Sequence, residues 1–178
     1  MKTVNLCNYE WYVLEKQDDK ALLLAKDIIT RKAYHEIREL TSWEDCTLRQ
    51  WLNGEFYRNL EKYHANILET ETESGVMDKI FLLSIEETKK YNIPLAEGWW
   101  WLRLPGFING YAAGVCGDGG IFIYGIDVND AFGGVRPAMW MDVKIINSIK
   151  SAEDRNKLYM RIMRLFGKVS LYGRRNAF

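Results

Sequence analysis

The sequence predicts a mixed α+β domain. Three observations point there: helical signals with recognisable starts in the first half, short Gly-punctuated apolar runs from 98 to 143, and a closing amphipathic segment. At 178 residues the chain fits one domain of ordinary size. A chain of this length buries roughly 70% of its unfolded surface, so no metal or disulfide is needed for folding.

Taken in order, 11–14 and 21–29 read as two strands joined by the polar turn Gln17-Asp18-Asp19-Lys20. The second, ALLLAKDII, is nearly continuous in apolar residues, as a strand buried on both faces would be. Ser42 is a good helix cap with Asp45 three residues on; Trp43, Leu48, Trp51 and Leu52 follow near helical spacing, and Gly54 is a natural stop. EFYRNLEKYHANIL, 55–68, predicts a second short helix leading into a strand at 67–71, and the polar ETETESGVMD, 69–78, reads as a loop. KIFLLS at 79–84 reads as a core strand. Ser84 and Glu87 form a capping box for a short helix that Asn92 and Pro94 end. The runs GWWWLRLPG, YAAGVCG, GGIFIYGIDV and GGVRPAMWMDV predict short strands, with a hairpin turn at Gly117-Asp118-Gly119-Gly120. Ser151 then caps an amphipathic helix to about 166, ended by Gly167, with Leu158, Ile162, Leu165 and Phe166 as its stripe.

Net charge is zero, which argues against a chain broadly devoted to nucleic acid or an anionic membrane. The zero hides an asymmetry. Residues 151–178 hold seven Lys and Arg, including Lys168, Arg174 and Arg175, against two acids, so the preceding body carries the matching acidic excess. Cys7, Cys46 and Cys116 are widely spaced and odd in number, as free thiols in a reducing compartment would be. No run of eighteen apolar residues exists and no signal peptide opens the chain, so a soluble, cytoplasmic protein without membrane contact is expected.

No P-loop, HExxH, GxSxG or CxxC occurs. His35 and His64 lie in polar stretches with no matching partner and read as solvated. Cys116, among Ala112, Ala113 and Val115, reads as a buried thiol, with a nucleophile as the alternative. Asp118, Asp127, Asn129 and Asp130 could gather round calcium, but Asp and Asn also belong in turns, and no metal or cofactor is expected. Trp99, Trp100 and Trp101 must alternate faces in a strand. Either a second layer covers the outer face, or the indoles form a contact surface. Arg103 and Arg136, flanked by apolar residues, read as partly buried ties needing carboxylate or carbonyl partners, with Trp43 and Trp51 as structural aromatics.

TSWEDCTLRQWLNGEFY, DKIFLLSIEET, WWWLRLPG and GGVRPAMW, in this order, resemble the bacterial family of domains of unknown function numbered 6273, which also occurs in phages. The resemblance covers about 9–143, with Cys46 and Leu104 standing where the pattern has Ser. The W-W-L-R and G-V-R-P-A layout is also similar to the ends of formylglycine-generating-enzyme-like domains and retroelement-diversified variable proteins. The resemblance therefore implies a C-type-lectin-like fold: two N-terminal helices on a twisted antiparallel sheet over 1–148, with the basic helix and tail 149–178 appended. The paired active-site cysteines of the generating enzyme are not reproduced, since only Cys116 falls in that region.

The expected function is a non-catalytic module binding a protein or glycan. Its candidate contacts are Trp99, Trp101, Asn109, Tyr111, Asp118, Tyr124, Asp127, Asn129 and Asp130. The alternatives are a formylglycine-generating-like enzyme using Cys116, and a structural protein of a phage particle or other assembly. In the last, helix 152–168 would be the docking or self-association element. A nucleic-acid partner is not expected.

Overall fold

The computed structural model describes residues 1–72, 75–106 and 108–173, and within the last helix the side chains of 143–150 and 154–164. The architecture is α+β. Three strands open the chain: β1 (Lys2–Leu6), β2 (Tyr9–Gln17) and β3 (Lys20–Ala25). β1 and β2 meet through Cys7 and Asn8, both at positive φ. That is the geometry of a two-residue turn matching strand twist. No Gly marks it, so β1 was not anticipated. In β3 every residue from Ala21 to Ala25 is fully buried, and the strand ends there instead of running on to 29. Lys26 breaks it, its N–H turning to the Glu10 carbonyl at 2.9 Å. After a short β4 (Thr30–Arg31), Tyr34 and His35 lead into the first helix.

Helix α1 (Thr47–Trp51) starts five residues after the expected cap. Ser42 closes only a local turn, its hydroxyl bonded to Asp45. The real cap is Cys46, whose thiol accepts from the Arg49 N–H at 3.4 Å. The Thr47 N–H goes to His35 Nδ1 and the Leu48 N–H to the Tyr34 carbonyl. A helix start needs acceptors for its first N–H groups. Here two of the three come from 34–35, which local spacing does not reveal. Gly54 does not stop the helix. It lies inside a π turn, Leu52–Phe56, and a 3₁₀ turn follows at Glu61–Asn66.

β5 (Ile67–Leu68) pairs with a later strand, and β6 (Thr70–Glu71) with β7 (Met77–Asp78) as a small hairpin where a loop was expected. KIFLLS is not a regular strand. Ile80, Phe81, Leu82 and Leu83 are all fully buried, but Phe81 makes one bridge to Ala138 while the Leu83 carbonyl accepts the Arg103 N–H. The segment ties two sheets and belongs to neither. α2 (Ile85–Tyr91) follows, with the Ser84/Glu87 capping box formed and Asn92 left-handed at its end.

The Gly-punctuated region yields β8 (Trp100–Pro105), β9 (Tyr111–Val115), β10 (Ile121–Asp127), β11 (Gly134–Val135) and β12 (Ala138–Asp142). One sheet has the order β1-β2-β3-β12-β5, the other β10-β9-β8-β11-β4. The turn at 117–120 forms as expected, with Gly119 at positive φ and the Cys116 N–H bonded to the Gly120 carbonyl at 2.7 Å. Trp100 and Trp101 are both buried, so both faces of β8 are covered. A side chain at Gly133 would sit 1.9 Å from Trp101 Nε1, so glycine alone lets that turn close over the indole.

α3 (Val143–Gly173) starts eight residues before Ser151 and crosses the 148/149 boundary without a break. Asp142 Oδ1 accepts the Lys144 N–H, a cap that sequence reading placed too late. Ile146 is buried, whereas every described side chain from 154 to 164 is exposed, Leu158 and Ile162 included. Leu165, Phe166, Gly167 and Lys168 have side-chain surroundings, and Arg174 and Arg175 whole positions, outside the described residues. Among the described residues no helix is long and apolar enough to cross a membrane.

Candidate functional site

Among the described residues, the buried charged side chains Asp78, Arg103 and Arg136 each centre a polar node. At the first, the Asp78 carboxylate, inaccessible to solvent, accepts from Trp43 Nε1 at 2.8 Å, Arg49 Nε at 2.7 Å, Asn53 Nδ2 at 3.1 Å and the Thr72 hydroxyl at 3.3 Å. Asn53 extends the node. Its Oδ1 accepts the N–H groups of Lys79 and Ile80, and its Nδ2 donates to the Ile80 carbonyl. The π turn containing Asn53 is thereby stitched to the bridging segment. Every oxygen of the carboxylate is engaged by groups of the fold itself, so the node reads as structure.

The second node is Arg103, which donates to the Leu82 carbonyl at 2.8 Å and pairs with Glu87 at 3.4 Å. Its backbone carbonyl accepts from the Tyr34 hydroxyl. The third is Arg136, fully buried between the sheets. It donates to the carbonyls of Ala25, Lys26 and Pro94 and lies 4.8 Å over the Trp100 ring. Burial pulls its pKa down to about 10, so the guanidinium still carries its charge at neutral pH.

The nine candidate contact residues do not form one site. Trp101 is fully inside, its Nε1 donating to the Lys32 carbonyl and its ring edge-on to half-buried Trp99, so it is not a contact surface. Asp118 sits in the β9–β10 turn, where its carboxylate accepts the Gly120 N–H. Asp130 likewise accepts the Phe132 N–H in its own turn. Asp127 pairs with Arg38 Nε at 3.1 Å, and Arg38 also reaches the Tyr111 hydroxyl and ring. The structure does bring Tyr111, Asp127 and Arg38 together. Sequence reading missed Arg38 because it lies 73 residues from Tyr111. Asn129 and Asn109 are exposed. No group of three or more His, Cys, Asp or Glu gathers for a metal among the described residues.

Around Tyr124 the surface is apolar instead. β10 is an edge strand, and its pairing with β9 jumps from Phe122↔Gly114 to Ile126↔Ala112. Residues 123–125 thus bulge opposite Ala113, with Gly125 at positive φ. The bulge leaves Phe122 44%, Ile123 39% and Tyr124 61% exposed in succession. Gly106 is seated against it, since a side chain there would lie 2.6 Å from the Tyr124 carbonyl, and Ile108 is half exposed. Phe132, in the turn after β10, is 74% exposed.

Neither histidine is solvated as expected. His35 is buried, holding the Thr47 N–H and Glu39, and His64 stacks flat on Tyr57 at 3.8 Å. Cys116 is half-buried, not buried, and lines a cleft of about 220 Å³ with Thr88, Lys89, Asn92 and Trp100 but no histidine. Trp51 is half-buried under the Lys32 ammonium at 5.0 Å. Cys46 behaves differently from Cys116: burial pushes its thiol up to about 12. In the folded protein Cys46 will therefore stay unlabelled by a disulfide reagent at pH 8, reacting only in denaturant. Labelling followed by peptide mass analysis checks this; fast native labelling of Cys46 would contradict it.

Comparison with curated proteins gives no match, and comparison with solved structures gives none. Residues 18–98 match a family, and this stretch contains the whole of the first node, Trp43, Arg49, Asn53 and Asp78 included. Arg103 and Arg136 lie beyond it. The family matched over residues 18–98 is the one described as Domain of unknown function (DUF6273).

Proposed function

We propose that the chain is a non-catalytic module that binds a protein partner through the bulged edge of β10. The single observation carrying this reading is the exposed succession Phe122-Ile123-Tyr124 on an edge strand, beside Ile108. An outermost strand that exposes apolar and aromatic side chains in succession suits an extended peptide segment that packs its own apolar side chains on them. A glycan is the less suited ligand, because Asp118, Asp127 and Asp130 are already engaged within the fold. Support for a lectin-like scaffold comes from topology: β1–β3 and β12 share one sheet, closing the chain as a loop. The second sheet comes almost wholly from the region after 98.

Peptide and glycan arrays, each with and without calcium, test the reading. Signals on peptides with alternating apolar residues are expected, independent of calcium and lost in Ile123→Asp and Tyr124→Asp. Calcium-dependent glycan signals that survive both substitutions would overturn it.

A second reading, self-association in an assembly, is favoured by α3. Its described part beyond 154 exposes Leu158, Tyr159, Ile162 and Met163. Sedimentation of Leu158→Glu and Ile162→Glu against the parent decides this. Dimers that dissociate only in the variants support it; a parent that stays monomeric over the whole concentration range removes it.

A further inference from the structure

Between α2, the 93–96 segment and the β9–β10 turn lies a cleft of about 220 Å³. Ile93, Leu95, Trp100, Val115 and Ile121 give it an apolar lining, with Cys116 among them. Its walls are fixed from behind. The Pro94 carbonyl accepts Arg136 Nη1 at 3.3 Å, the Ala96 carbonyl accepts the Gly98 N–H at 2.9 Å, and the Cys116 N–H goes to the Gly120 carbonyl. Trp100, only 1% exposed, is the floor. At the turn, a side chain on Gly119 would lie 2.9 Å from Leu95 Cδ2, so glycine lets the turn close up to Leu95. A cleft held this way is formed before anything enters it, as small-molecule sites usually are.

Charge narrows the kind of occupant. From α2 come Thr88, Lys89 and Asn92, and no Asp or Glu lines the cleft. The Thr88 hydroxyl is spent on the Ser84 carbonyl. The Lys89 ammonium and the Asn92 side chain make no hydrogen bond or ion pair among the described residues. The acids nearest in sequence are engaged elsewhere, Glu87 with Arg103 and Asp118 with the Gly120 N–H. Behind the floor, Arg136 lies 4.8 Å over the Trp100 ring, its charge offset by Asp27 only at a distance. Two cations and no lining acid therefore bear on an apolar cavity, which favours an anion with an apolar body.

We propose that this cleft binds a small monocarboxylate carrying one aromatic ring or a short alkyl chain. Its apolar part packs on Trp100, Val115 and Ile121, and its carboxylate meets Lys89 and Asn92. The volume is below the roughly 300 Å³ at which sites for drug-sized ligands begin, so the ligand is small. Phe122, Ile123 and Tyr124 do not line the cleft, so the site is independent of the β10 surface above.

The probe is phenylacetate, with phenylethanol and phenethylamine as its neutral and cationic counterparts, each titrated into the full chain and followed by saturation-transfer NMR. A dissociation constant on the order of 1 mM is expected for phenylacetate, as for other ligands this small. The alcohol should bind about fivefold more weakly, and the amine more weakly still. Lys89 is exposed, so Lys89→Gln leaves the fold intact; it should weaken phenylacetate about fivefold and leave the alcohol unchanged. Bound phenylacetate should also slow iodoacetamide alkylation of Cys116, read by peptide mass analysis, without slowing that of half-buried Cys7. Four outcomes each overturn the proposal: no saturation transfer to phenylacetate, equal affinity for the amine, unchanged affinity in Lys89→Gln, or Cys116 alkylation indifferent to the probe.

Discussion

Replacing Asp78 with alanine will lower the unfolding free energy by about 3–5 kcal/mol, the usual cost of stripping a buried charge of its partner. The carboxylate is the acceptor shared by Trp43, Arg49, Asn53 and Thr72. Its removal leaves the Trp43 indole N–H without its acceptor and takes from the largely buried Arg49 guanidinium its carboxylate partner. Asp78→Asn keeps the shape and one acceptor oxygen, and should lose about half as much. Urea unfolding followed by Trp fluorescence measures both. Equal stability of the alanine variant and the parent would mean that the node carries little.

Arg136→Met should be comparably severe, about 3–4 kcal/mol, for a different reason. Arg136 makes no ion pair among the described residues; it satisfies three backbone carbonyls, those of Ala25, Lys26 and Pro94. Methionine replaces much of the volume over Trp100 but leaves those carbonyls without a donor. Arg136→Lys retains a charge but lacks the planar fork that reaches all three, and should recover less than half of the loss. Full rescue by lysine would show that charge alone, and not the fork, matters at this position.

Much of the architecture was legible because local chemistry set it. The Ser84/Glu87 box, the Gly117–Gly120 turn and the burial of the LLL run in β3 each follow from residues within a few positions of one another. What was not legible depends on distant partners. The first helix begins at Thr47 because His35 and Tyr34 supply acceptors, and it runs through Gly54 because Asn53 is pinned by Lys79 and Ile80. KIFLLS looked like a strand since its burial is that of one, yet its hydrogen bonds go to two sheets.

The candidate site shows the same division. Acidic residues in the Gly-rich region looked like ligand groups, but two of them serve their own turns, as short polar side chains do. The apolar run at 122–124 was read as part of a short strand, with only Tyr124 as a candidate contact. Its exposure arises from a bulge on an edge strand, and neither bulge nor edge is written in the local pattern. Trp101 was doubtful from sequence for the opposite reason: alternation places it, but the Lys32 carbonyl and Gly133 that enclose it are remote.

Trp43, Arg49, Asn53 and Asp78, all within the matched residues 18–98, act together as one structural node. A double-mutant cycle on Arg49→Gln and Asp78→Asn, read by urea unfolding, tests it most directly. The node predicts that each single variant is destabilised and that the double variant loses less than the sum, with a coupling of about 1–3 kcal/mol. Strictly additive losses, or two variants as stable as the parent, would contradict it.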